Sequence, residues 1–249
     1  MMGEPLILLL VAATFLVAGG VKGIIGMGMP TVSLALLAAT LGLQPAMALL
    51  LAPTLITNVW QALVGGYLGR IVRQLWPFLL ASVVTVWLGV SILARVEVRW
   101  LSGLLGVLIV FYALAGLCNL GLARLVGGGR HAAPVNGALT GLLTGMTGSS
   151  VFPGVAYLQS LGLPREMLIQ AMGVLFVATT LALGLALGGQ RLLSIELGLL
   201  SLAAVVPALV GMRLGQWLRG RLSEATFRRA FLSGLLAMGS YLLVRALAG

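Results

Sequence analysis

The chain has 249 residues, of which 60% are hydrophobic and only 8% are charged, and its formal net charge is +10. In soluble domains about a quarter of the residues are charged, so this composition excludes an ordinary soluble protein and predicts a polytopic membrane protein. One cysteine, one histidine and no aspartate nearly exclude a protein metal site and a Ser-His-Asp triad, so we expect neither a cofactor nor an enzyme.

Apolar segments follow one another along the whole chain, and two of them are interrupted. Region 5–41 is broken by GGVKGIIGMGMP, which holds Lys22, the only lysine of the chain. Region 134–162 is broken by TGMTGSSVFP. Each region is predicted to be a hairpin of two half-helices that meet at a broken tip. Uninterrupted spans are predicted at 46–68, 76–94, 100–121, 167–188, 195–213 and 227–247.

The two interrupted regions resemble each other in sequence. KGIIG at 22–26 matches TGMTG at 144–148, and LGLQPAM at 41–47 matches LGLPREM at 161–167. We therefore predict an all-α polytopic membrane protein with two repeats, each a broken, re-entrant helical hairpin followed by three transmembrane helices. The predicted divisions are a first repeat at 1–122, a basic cytoplasmic linker at 123–133 and a second repeat at 134–249.

The arginines predict how the repeats lie in the membrane. A hairpin returns the chain to its starting side and three spans then cross, so the second repeat is expected to be inverted. One side then collects ten arginines and the other four, whereas single spans in place of the hairpins would divide them eight against six. The richer side is expected to be cytoplasmic, which places both termini outside the cytoplasm. The cytoplasmic group is Arg70, Arg73, Arg124, Arg130, Arg165, Arg213, Arg219, Arg221, Arg228 and Arg229, and the other group is Arg95, Arg99, Arg191 and Arg245.

The scattering of these arginines over short loops is typical of membrane topology, and it does not favour a nucleic-acid partner.

Irregular backbone at membrane depth persists only inside protein or beside a wet cavity. Inverted repeats bring two such tips together near the midplane, where helix N-termini offer N–H groups to an anion. For Lys22 we weigh an anion-facing or gating role against simple anchoring. The glycine steps likewise indicate either broken tips or close helix packing.

Polar residues on the helix after the first hairpin add a second candidate surface. Thr54, Asn58 and Gln61 lie at i, i+4 and i+7, which is one stripe of a helix. Such side chains either bond to neighbouring helices or line a cavity, and the Asn with the Gln favours a cavity. Only Thr179 and Thr180 hold the corresponding place in the second repeat, so we expect an asymmetric site. The candidate substrate-binding residues are Lys22, Gly23, Gly26, Gly28, Thr54, Asn58, Gln61, Thr144, Gly145, Thr147, Gly148, Ser149 and Ser150.

The placement of the acidic residues narrows the substrate class. All five glutamates lie in or near predicted loops, so no carboxylate is expected at mid-membrane to bind a cation. This favours a small anion, bound between the two hairpins by a secondary transporter, with protons as a conceivable coupling ion. An anion channel and a non-transporting membrane assembly factor remain open as alternatives, and the oligomeric state is undetermined.

The two ordered motif pairs resemble those of the sulfite exporter TauE/SafE family of anion permeases, over essentially the whole chain. They are KGIIGMGMP with LGLQPAM, and TGMTGSSVFP with LGLPREM. The resemblance implies transport of sulfite, a sulfonate or a related small anion across the bacterial inner membrane. The chain departs from the family pattern at Gly148-Ser-Ser, where GxGGG is frequent, and at Ala52-Pro-Thr54 and Ala171-Met-Gly173, where a GTS-like step is frequent.

Reporter fusions test the predicted topology. We expect a fusion at residue 249 to report a non-cytoplasmic location, because the inverted repeats place the last span in that direction. Fusions in the loops 124–131 and 217–224 are expected to report the cytoplasm. A cytoplasmic signal from residue 249 would contradict the inverted arrangement.

Overall fold

The computed structural model describes residues 4–127, 129–221 and 223–248. Across these residues the backbone forms helices joined by short turns, without a β-strand, which confirms the predicted all-α class. Residues 1 and 249, the predicted non-cytoplasmic ends, lie outside the described part. The α-helices are α1 Pro5–Ile25, α2 Met29–Thr40, α3 Leu43–Leu49, α4 Leu51–Leu63, α5 Leu68–Leu93, α6 Val98–Leu117, α7 Ala133–Thr147, α8 Ala156–Ser160, α9 Arg165–Gly189, α10 Ile195–Ala203, α11 Val205–Arg219 and α12 Glu224–Ala248.

The predicted spans correspond to helices of suitable length. In the described part of the chain, six helices are long and apolar enough to cross a membrane, counting α10 and α11 together. The pair α3 and α4, bent by 42° at its junction, raises that number to seven. Helix α5 begins at Leu68, before the predicted residue 76. Gly65 and Gly66 directly precede it with φ of 131° and 79°, a conformation that glycine adopts easily.

Both interrupted regions are broken where the sequence predicts. Helix α1 ends at Ile25 and α2 begins at Met29, while α7 ends at Thr147 and is followed by a distorted turn at Val151–Val155. The arms differ in length, because α1 has 21 residues and α7 has 15. Helix α1 therefore exceeds the predicted half-helix. It continues through the glycine pair at 19–20, whose residues contact another helix and do not end α1.

One compact unit is built around two close helix pairs. In it α1 packs against α11, and α6 packs against α12. A Cβ atom on Gly19 would overlap the carbonyl of Ala208, and one on Gly23 would overlap the carbonyl of Met212. Backbones therefore touch directly, as small residues allow in membrane helices. As far as it is described, the unit comprises Met1–Pro53, Glu97–Asn119 and Leu193–Gly249.

The other compact unit repeats this mode of packing with α5 and α7, while α9 also packs against α5. Three glycines spaced by four residues along α7 face three carbonyls spaced by four along α5, so the two helices run parallel. Each glycine leaves no room for a Cβ atom. The pairs are Gly137 with Phe78, Gly141 with Ser82 and Gly145 with Val86. As far as it is described, the unit comprises Thr54–Val96 and Leu120–Leu192.

Replacing one of these glycines tests the packing. We expect Gly141→Ala to destabilise the protein, because the new Cβ would overlap the Ser82 carbonyl and force α5 and α7 apart. The matched control is Gly234→Ala in α12, where no atom lies within 4 Å of the added Cβ. Alanine at such an open helical position is expected to be neutral or stabilising, by up to about 1 kcal/mol. Thermal unfolding in detergent measures both, and equal melting temperatures would contradict the contact.

Candidate functional site

The two broken tips have the same backbone closure. Helix α1 is capped by Gly26, with φ 87° and ψ −3°, whose N–H donates to the Lys22 carbonyl at 2.7 Å. Helix α7 is capped by Gly148, with φ 78° and ψ −3°, whose N–H donates to the Thr144 carbonyl at 2.7 Å. This left-handed cap favours glycine. The matched sequences KGIIG and TGMTG therefore form equivalent helix ends, with Lys22 and Thr144 at the same position.

The first glycine of each matched step has a different task. Gly23 lies against the Met212 carbonyl of α11, and Gly145 lies against the Val86 carbonyl of α5. Both were predicted to be substrate-binding residues, and the structure places each of them in a helix contact. Both interpretations of the glycine steps thus apply, one to each glycine, since the second glycine closes the tip.

The first tip carries a buried lysine side chain. The side chain of Lys22 is only 6% exposed and follows Phe15 and Ala18 on the buried side of α1. Gly28, with φ 100°, precedes the first residue of α2, so the N-terminal end of that helix also lies at this tip. A helix N-terminus carries positive partial charge. The ammonium group and the start of α2 therefore both favour an anion there, whereas the C-terminal end of α1 at the same tip carries negative partial charge.

The second tip carries hydroxyl groups instead of a charge. The Oγ1 atom of Thr144 lies 2.8 Å from Oγ of Ser150, which in turn lies 3.1 Å from Oγ1 of Thr179. All three side chains are buried. The hydroxyl of Thr147 donates to the Leu143 carbonyl and accepts from the N–H of Ser149 at 3.3 Å. The predicted residues of this tip thus lie together, joined by Thr179 from α9.

On α4, the structure distinguishes the three members of the predicted polar stripe. Thr54 and Asn58 are 1% exposed, and Asn58 Nδ2 donates to the Thr54 carbonyl at 2.8 Å. The hydroxyl of Thr54 has no hydrogen-bond partner among the residues that the structure describes. A buried polar group without a partner costs about 1–3 kcal/mol. Such a group, one turn from an amide, is suited to receive a bound ligand.

Gln61 lies in a contact between α4 and α9 that the sequence analysis missed. Its Nε2 donates to the Ile169 carbonyl at 2.8 Å, and Nε2 of Gln170 donates back to the Ala62 carbonyl at 2.7 Å. Gln170 Oε1 also accepts the N–H of Tyr67 at 2.9 Å. This use of Gln61 matches the helix-bonding alternative for the stripe. Its role in substrate binding stays a prediction. Gln170 was detectable as a lone amide in the apolar run MLIQAMG.

Ser201 of α10 is a second residue that sequence reasoning missed. Pro53 has no N–H to donate to the Leu49 carbonyl four residues earlier, so α3 and α4 separate there. Ser201 Oγ donates to that carbonyl at 2.9 Å and accepts the N–H of Ala52 at 3.0 Å. One hydroxyl thus replaces two backbone partners and fixes the bend that precedes Thr54. No sequence signal identifies Ser201, because its partners lie about 150 residues away.

The acidic residues whose side chains are described lie outside the interior. The glutamates with described side chains, Glu4, Glu97, Glu166 and Glu196, are exposed. Within the described ranges there is no group of three or more His, Cys, Asp or Glu residues that could hold a metal ion. The polar groups of the described interior are the Lys22 side chain, hydroxyls, amides and helix ends, which are donors suited to a small polar anion.

Comparison with known families gives one finding. The family model described as Sulfite exporter TauE/SafE matches residues 11–242. The match therefore covers nearly the whole chain, including both broken tips. Comparisons with curated proteins and with solved structures give no match.

The hydroxyl of Thr54 is open to a direct test. We expect Thr54→Val to leave thermal stability unchanged or higher, because it removes a buried hydroxyl that has no described partner. Thr85→Val is the control, since Thr85 Oγ1 donates to the Ala138 carbonyl of α7 at 2.8 Å and its loss is expected to destabilise. Melting temperatures in detergent decide. Equal losses in both variants would show that the Thr54 hydroxyl has a partner in the folded protein.

Proposed function

Because this chain belongs to the sulfite exporter TauE/SafE family, we propose that it is a secondary transporter of a small sulfur-containing anion such as sulfite or an organosulfonate. The family is one of membrane transporters, so the chain is a multi-pass membrane protein and not an enzyme. Its proposed location is the bacterial inner membrane. The residues proposed to carry out transport are the polar groups at the first tip and on α4.

The observation that supports an anionic substrate most directly is the buried ammonium of Lys22. A charge inside a membrane protein is costly and is retained where it has a function. Here it lies one turn before the end of α1 and at the same tip as the positive end of α2. We propose that the substrate anion approaches this tip and is held by Lys22 and by the backbone around Gly26 and Gly28.

Thr54 and Asn58 are the proposed hydrogen-bonding residues for the same class of substrate. The unsatisfied Thr54 hydroxyl supports this role, since an anion that accepts its proton would offset the cost of burying it. Asn58 uses Nδ2 on the Thr54 carbonyl. This bond orients the amide and ties it to the turn that bears Thr54. The Ser201 contact then acts on both residues by fixing the start of α4.

The proposed inverted topology is supported by helix directions within each unit. Contacts of Gly103 with Ala246 and of Gly116 with Leu232 show that α6 and α12 run antiparallel. Along the chain, α6 and α12 are separated by the second broken region, α9 and the pair α10–α11. Antiparallel directions support a second region that returns to the side from which it started, because a full crossing there would make α6 and α12 parallel.

The first region is constrained in the same way. Gly19 lies against Ala208 and Gly23 against Met212, so α1 and α11 run parallel. With a returning second region, this direction supports a first region that returns as well. The contacts therefore support two hairpins and the repeats at 1–122 and 134–249, and the arginine distribution supports termini outside the cytoplasm.

Substitutions of Lys22 test the proposed anion site. We expect Lys22→Gln to lose most transport of sulfite into or out of liposomes, because the positive charge is removed from the tip. Lys22→Glu is expected to be worse, since it repels the anion. Lys22→Arg keeps the charge in a planar group and is expected to retain partial transport with altered selectivity.

The control is Arg73→Gln, which removes one positive charge from an exposed position on α5 and is expected to transport normally. All variants are compared at equal amounts of protein in the membrane. Removing a buried charge does not impede insertion, so a loss in Lys22→Gln reports on transport. Wild-type rates from Lys22→Gln would show that the lysine only anchors the tip.

A further inference from the structure

The hydroxyl cluster at the second tip has fewer protons than hydrogen-bond contacts. Thr144 Oγ1 lies 2.6 Å from the Thr140 carbonyl and 2.8 Å from Ser150 Oγ. Thr179 Oγ1 lies 3.1 Å from Ser150 Oγ and 2.9 Å from the Leu175 carbonyl. Each hydroxyl supplies one proton, so three protons serve four contacts. At least one of the four oxygen pairs is therefore not bridged by hydrogen.

The surroundings of this cluster add acceptors. The Ser149 carbonyl lies 3.4 Å from Thr144 Oγ1. The N–H of Ser149 donates to Thr147 Oγ1 at 3.3 Å. Helix α7 also ends at this tip, and the C-terminal end of a helix carries negative partial charge. A buried group of oxygen atoms with too few protons attracts a positive charge more readily than a negative one.

The first tip has a lysine at the position that Thr144 occupies in the second tip. Lys22 and Thr144 occupy equivalent places, four residues before glycines with nearly identical φ and ψ. At the first tip the side chain itself brings a positive charge. At the second tip it brings an oxygen atom to a cluster of oxygen atoms.

We propose that the second tip binds a sodium ion through the hydroxyl oxygens of Thr144, Ser150 and Thr179 and neighbouring backbone carbonyls. Sodium is a hard cation that prefers oxygen ligands, and carbonyls at broken helix ends together with hydroxyls suffice for it without a carboxylate. The role of this ion rests on the proposed function, since it would accompany the substrate anion and couple its movement to a sodium gradient. The second tip is then a cation site, and Lys22, Thr54 and Asn58 remain the residues proposed for the anion.

Binding of the ion is measured without any transport assay. The purified protein is heated in detergent in sodium chloride, potassium chloride or choline chloride at constant ionic strength and without sulfite. We expect sodium alone to raise the melting temperature, by about 5 °C at saturation, because a ligand that binds only the folded state stabilises it. Equal melting temperatures in all three salts would overturn the proposal, whatever the variants do.

Substitutions then assign the effect to the cluster. Ser150→Ala and Thr179→Val are expected to abolish the sodium-dependent shift, each by removing one ligand oxygen. Ser160→Ala is the control, because its hydroxyl bonds the Tyr157 carbonyl outside the cluster, and the shift is expected to persist. A sodium shift that survives in both Ser150→Ala and Thr179→Val would place the ion elsewhere and overturn the site.

Transport separates this proposal from the proposed function. In liposomes an inward sodium gradient is expected to increase sulfite uptake by wild type about tenfold over a potassium gradient, a typical size for coupling between two ligands. A sodium shift without any anion transport would support the ion site and contradict the proposed function. Equal sulfite transport in sodium and potassium, without a sodium-dependent rise in melting temperature, would support the transporter function and overturn the ion site.

Discussion

Every break in a helix at membrane depth must find partners for its backbone N–H and C=O groups inside the protein, because lipid offers none. This constraint explains the most specific contacts of the fold. Gly26 and Gly148 close α1 and α7 by returning their N–H groups to the preceding turn. At the bend before α4, the hydroxyl of Ser201 replaces the bonds that Pro53 disrupts. At the two glycine caps and at this bend, the backbone groups named here have hydrogen-bond partners, and polar side chains lie nearby.

Much of the architecture was predictable, because hydropathy and glycine position act locally. The spans followed from the length of apolar runs, and the two tips followed from KGIIG and TGMTG, which close on themselves within five residues. The length of α1 was not predictable, since the glycine pair at 19–20 continues the helix only because α11 packs against it. Tertiary packing overrode the local tendency of glycine to end a helix.

The candidate site was predictable only in part, for a similar reason. Lys22 and the hydroxyls of the second tip stand out in the sequence because polar groups are rare in it. The partners of Gln170 and Ser201 lie more than 100 residues away along the chain, so the residues next to Gln170 and Ser201 in sequence do not indicate their role. The same distance applies to Gln61, for which the sequence left a cavity and a helix contact open and whose amide bonds a carbonyl of α9.

The direct backbone contacts at glycine have a consequence for temperature and motion. Glycine has no side chain, so the contacts of Gly23 with Met212 and of Gly141 with Ser82 bury little apolar surface. These contacts rely on short-range attraction between close-packed atoms. Attraction of this kind lacks the large heat capacity that makes apolar burial weaken on cooling. The pairs α1–α11 and α5–α7 should therefore remain rigid bodies in cold and warm membranes alike. The flexibility that a transport cycle requires then belongs to the segments without such contacts, the short helices and bends that join the pairs.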